Sequence, residues 1–157
     1  MKKNSTKFLK WLTGIVSVFG LISVVGLATQ TLGFFYGIPV EQKAVWITEL
    51  EFVQGSIAIL RFLGFTALFA FLIAFMVNSI KALNNGTLFP RKNISLLFWA
   101  AASSFIFLFC NSNVDLILGR STIQLDVTEI IVPSLICTFA IIYRKAVQVS
   151  EENSLTI

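Results

Sequence analysis

The stretch WLTGIVSVFGLISVVGLATQTLGFFYGIPV, residues 11–40, runs for thirty residues without one charged side chain. A helix rising 1.5 Å per residue needs about 20 apolar residues to cross a hydrocarbon core of about 30 Å. The run therefore places a first membrane span at about residues 11–31, behind a basic start at Lys2, Lys3, Lys7 and Lys10. Gly14, Gly20 and Gly26 recur along it at intervals of six, which is not the four-residue spacing of a helix-dimer stripe. They are read as permitting close packing in general. The same start also has the layout of a signal peptide, with Gly26-Leu27-Ala28 as a weak cleavage site. The apolar run continues past Ala28, which favours a retained span.

The rest of the chain has the same character. Of 157 residues, 56% are hydrophobic and 13% charged, and the mean hydropathy is +0.84. Ordinary soluble domains are about 45–50% apolar and about 25% charged. This composition excludes a disordered chain, a basic nucleic-acid-binding domain and most soluble folds. There is no His, so the commonest general base, metal ligand and pH switch are all missing. Cys110 and Cys137 each lie in or beside an apolar run and read as small buried hydrophobes. Two separated Cys without His make no metal-site pattern.

Three further spans follow. Residues 57–77 carry one charge, Arg61, and the helix is expected to continue to Asn84, where Asn85-Gly86 supplies a stop. Such a helix exceeds the membrane thickness and is expected to project into water at its C-terminal end. Phe89-Pro90 restarts the chain, and residues 94–110 form a third span without charge. Residues 127–143 form the fourth, with Glu129 near its start, Pro133 soon after, and an amphipathic stub reaching Val149.

The connections between spans are less regular. Lys43 to Phe52 reads as a short strand with imperfect alternation. Val114, Leu116 and Leu118, then Ile123, Leu125 and Val127, fit either a short β-hairpin or a structured loop packed on the helices.

Nine basic residues fall on one side of this layout, at the N-terminus, the joint between spans two and three, and the C-terminal tail. Only Lys43 and Arg120 fall on the other. The asymmetry places both termini in the cytoplasm and agrees with four spans. The fold expected is an all-α integral membrane protein: four antiparallel helices in one bundle, residues 1–157 forming a single domain, with a small β-hairpin possible outside.

The chemistry is sparse. No nucleophile–base pair, carboxylate dyad, phosphate loop or mid-membrane proton relay stands out, which argues against an enzyme and against a proton-coupled transporter. No catalytic residue, cofactor or metal site is assigned. Arg61 is the one strongly basic residue well inside a span, and it can snorkel to the headgroups or pair with Glu129 or Glu51. The N-terminal lysines either bind anionic lipid or simply orient the first helix.

Two segments on the basic side resemble a known family. Residues 79–93, SIKALNNGTLFPRKN, are similar to the joint between the second and third spans of the bacterial membrane family called domain of unknown function 2975 (DUF2975). Residues 143–157, YRKAVQVSEENSLTI, look like that family's ending, with Ala146 where its members commonly have Gly. The four-span layout agrees with the family over nearly the full length. The family has no established activity. The resemblance implies a small protein of the bacterial inner membrane that accompanies a short helix-turn-helix regulator.

Both family-like segments fall on one face, so Gly86, Leu88, Phe89, Asn93, Glu152, Asn153, Leu155 and Ile157 are candidates for one docking surface. The bland alternative is that the tail packs on the joint and staples the helices. The leading expectation is a non-enzymatic membrane sensor or sequestering partner of that regulator, without direct nucleic-acid contact. The lipid bilayer and a second copy of the chain are further candidate partners. The alternative is a small transporter or immunity-type protein with a polar cavity around Arg61, Ser103, Ser104 and Asn111.

Overall fold

The structure is a computed structural model and describes residues 2–37, 43–87, 89–120 and 122–154. It contains four long helices: α1 (Lys2–Tyr36), α2 (Glu51–Asn84), α3 (Lys92–Ser112) and α4 (Val127–Ser154), with a short 3-10 turn, Val114–Leu116, between the last two. All four are long and apolar enough to cross a membrane. Each contains its expected span and overruns it. α1 reaches Tyr36, where Gly37 at φ +65° takes the left-handed conformation that ends the helix. α4 runs to Ser154, well past the stub expected to stop at Val149.

The end of α2 follows its sequence signal. Asn85 caps the helix and Gly86 turns left-handed at φ +84°. The Gly86 amide donates to the Leu83 carbonyl at 3.3 Å and the Thr87 amide to the Ala82 carbonyl at 2.9 Å. This pair of bonds satisfies carbonyls the helix itself leaves open.

Neighbouring helices are antiparallel and pack in chain order: α1 on α2, α2 on α3, α3 on α4. Among the described residues α1 makes no backbone contact with α3 or α4, so the four helices form an open layer rather than a closed bundle. α3 sits in the middle because its small side chains let helices approach on both sides. Ala100, Ala101, Ser103 and Ser104 are all buried. A Cβ on Gly64 of α2 would stand 2.9 Å from the Phe107 amide nitrogen of α3, so only glycine permits this approach. α2 and α4 meet by side chains, with Phe75 edge-on to Tyr143 at 5.8 Å between ring centres. Thus α2, α3 and α4 form a core, and α1 is appended to α2.

The helices have two distinct ends. The basic end carries the start of α1, the α2–α3 joint and the end of α4. The loop end carries residues 43–50 and 113–126. The short strand expected over Lys43–Phe52 is not formed, the second connection takes the structured loop rather than the hairpin of its two readings, and no strand occurs among the described residues. Residues 114–116 make the 3-10 turn, and Glu51 and Phe52 already belong to α2. The reason is that side-chain amides take the backbone groups a strand would pair. Gln54, wholly buried, accepts from the Ile47 amide at 3.0 Å and donates to the carbonyls of Val45 at 2.9 Å and Leu116 at 2.6 Å. Asn113 exchanges two 2.8 Å bonds with the backbone of Gln124. Phe34, Ile57, Ala58, Cys110, Leu116 and Ile117 pack as a dry core beneath these loops.

Candidate functional site

The basic end brings the two motif segments together. Gly86, Thr87, Phe89, Pro90 and Arg91 of the joint and Val147, Ser150 and Glu151 of α4 line one cleft of about 410 Å³. The joint is held there by Tyr143, whose ring stands edge-on to Phe89 at 5.5 Å. The Tyr143 hydroxyl reaches the Pro90 carbonyl at 3.4 Å. Beneath the cleft, the Asn93 amide group donates to the Ser79 hydroxyl at 2.9 Å, and to the Phe75 carbonyl and the Tyr143 hydroxyl at 3.3 Å each. One side chain of α3 therefore ties α2 and α4 together.

The candidate docking residues divide on this geometry. Gly86 is exposed at the cleft, and Phe89 is 38% exposed at its rim. Glu152 and Asn153 are exposed on the last turn of α4. Leu88, Leu155 and Ile157 lie outside the described residues. Asn93 does not belong to a docking surface: its exposure is 0%, and it serves as an internal tie. Its carbonyl oxygen is buried and has no hydrogen-bond partner among the described residues, a position that suits an ordered water.

At the loop end, Arg61 does not snorkel alone. Its Nε donates to Oδ1 of Asn111 on α3 at 3.0 Å, and its Nη1 to Oε1 of Gln30 on α1 at 2.9 Å. One guanidinium thus links three helices through two neutral amides. The ion pair considered between Arg61 and Glu129 is not made. Glu129 is wholly buried, and neither carboxylate oxygen has a hydrogen-bond partner among the described residues. Pro133, one turn on, has no N–H to give to the Glu129 carbonyl. Of the four residues suggested for a polar cavity, Arg61 and Asn111 meet, whereas the Ser104 hydroxyl is turned to the Ala101 carbonyl of its own helix at 2.7 Å. No group of three Cys, Asp or Glu suited to a metal ion gathers among the described residues.

Gln54, Asn113 and Tyr143 are ties that sequence reading did not single out. Gln54 and Leu116 are 62 residues apart, and nothing local in the sequence joins them. Asn93 did carry a signal, since Asn93, Leu97, Ala100 and Ser104 share one face of α3. No family model, curated protein or solved structure matches the chain.

Proposed function

We propose that this chain is a multi-pass protein of the bacterial inner membrane, with both termini in the cytoplasm. It acts without catalysis, as a sensor or sequestering partner of a small helix-turn-helix transcription regulator. The observation that carries this reading is the cleft shared by the joint and the end of α4. Two segments distant in the chain, residues 79–93 and 143–157, the two that resemble domain of unknown function 2975, line it together. The cleft has apolar Phe89 at its rim, buried Val147 at its floor and charged edges at Arg91 and Glu151, the mixture of a protein-recognition surface. The mechanism is a shift between two helix arrangements that opens or hides the cleft. The resemblance supplies the class of partner.

The test is an in-cell crosslinking pull-down with an N-terminal tag, read by mass spectrometry. Recovery of a small helix-turn-helix protein, lost on deleting residues 151–157, is the expected result. Partner binding unchanged by that deletion removes the tail from the docking role. Recovery of membrane components alone overturns the regulatory reading. Cysteine-labelling of each end in intact cells tests the orientation, and labelling of either terminus from outside contradicts it.

A further inference from the structure

A second concave feature, separate from the cleft, owes nothing to the docking reading. Between α1 and α2 runs an apolar groove of about 660 Å³, with Leu21, Val24, Phe69 and Ile73 along its walls and Ser17 and Asn78 toward the basic end. From Thr66 to Asn78 it extends about 18 Å along the α2 axis, close to the depth of one leaflet of a bilayer with a core of about 30 Å. Its walls are apolar along this length, the surroundings that suit a hydrocarbon chain.

Basic side chains stand beyond both ends: Arg61, taken up by Gln30 and Asn111, past Thr66, and Lys10 and Lys81 past Ser17 and Asn78. Phe69 lies over Gly20, Arg61 binds Gln30, and Phe35 faces Gly55, which fixes an antiparallel register between the two helices. Extending that register ten residues from Gly20 brings Lys10 level with residue 79, about 3 Å along the axis from Lys81. Lys10, Ser17, Leu21 and Val24 fall on one stripe of α1, as do Ala70, Ala74, Val77 and Lys81 on α2. Both lysines are exposed, and neither is in an ion pair among the described residues. Gly14, between Lys10 and Ser17, has open space where a Cβ would stand.

We propose that this groove binds one anionic phospholipid from the leaflet at the basic end, with its chain in the slot and its phosphate on Lys10 and Lys81. The test uses the full chain in non-ionic detergent with dioleoylphosphatidylglycerol or dioleoylphosphatidylcholine, read by native mass spectrometry and thermal shift. The expected result is one retained phosphatidylglycerol per chain, preferred over phosphatidylcholine by on the order of tenfold. Lys10→Gln with Lys81→Gln abolishes the preference. Lys92→Gln with Lys145→Gln, which removes two charges away from the groove, keeps it. Ala70→Phe fills the slot and lowers retention, with lipid-free melting reporting that the variant is folded. Equal binding of the two lipids overturns the proposal, as does a preference that survives loss of Lys10 and Lys81 or falls equally with the control pair. A dimer lost on Ala70→Phe, with no lipid retained, assigns the groove to a second copy instead.

Discussion

Gln54 has no titratable group and no place in any motif, yet it organises the loop end. Its single acceptor and its two donors are all used, on three backbone groups from two different loops. Gln54→Leu leaves those groups without partners in a dry core, and its expected cost is about 3 kcal/mol, measured as lost thermal stability in detergent. Gln54→Glu keeps the size but sets carboxylate oxygens against the Val45 and Leu116 carbonyls. It should be no better than leucine; rescue by glutamate would show that volume alone matters at this position. Glu129 is the opposite case, a buried side chain with two unused oxygens. Replacing it by Gln keeps the volume and gives the buried group a donor of its own, so the variant should melt no lower than the parent chain. A large loss of stability in Glu129→Gln would mean that the carboxylate has a partner such as a bound water or cation.

Glycines separate the elements by the same logic. At Gly64 a methyl group would meet the Phe107 backbone, which cannot swing aside, so Gly64→Ala should cost about 1–3 kcal/mol by forcing α2 from α3. At Gly14 and Gly26 nothing lies within 4 Å, and alanine there should be neutral or stabilise α1 by about 0.5–1 kcal/mol. Melting curves of the three variants test the contrast; equal effects would deny the close α2–α3 approach. The helices themselves were legible in the sequence, because a charge-free run of span length has few other readings. Their ends were less so, since polar residues such as those of α4 after Arg144 sit comfortably in a helix outside an apolar environment. That the loop and not the hairpin forms has a similar cause. Alternating Val114, Leu116 and Leu118 suit a strand, but a 3-10 turn also buries Leu116 and Ile117 when a distant glutamine supplies the pairing. Asn93 was grouped with the docking candidates because it ends the segment that resembles the family joint, whereas helix phase turns it inward.

At the scale of the molecule, the two ends are fastened differently from the middle. Asn93 and Tyr143 weld α2, α3 and α4 at the basic end, and Gln54 joins the loops to α2 at the other. α1 shares little of this. Along its length it is held by Gln30 on Arg61, Phe69 over Gly20, and Phe34 in the core under the loops. A layer built this way loosens from one edge, because an element with few buried contacts opens at lower free energy than the core. Amide hydrogen exchange in detergent should therefore show α1 exchanging ahead of α3, with α2 and α4 between. Arg61→Gln removes the bond to Gln30 while keeping a polar side chain near Asn111. It should speed exchange in α1 by on the order of tenfold, about the worth of one charge-assisted hydrogen bond, and leave the Asn93 region unchanged. Uniform exchange over all four helices, or acceleration spread equally to α3 and α4, would show that α1 opens only with the whole molecule. In that event a movement of α1 against the other helices could not be the step that opens or hides the cleft at the basic end.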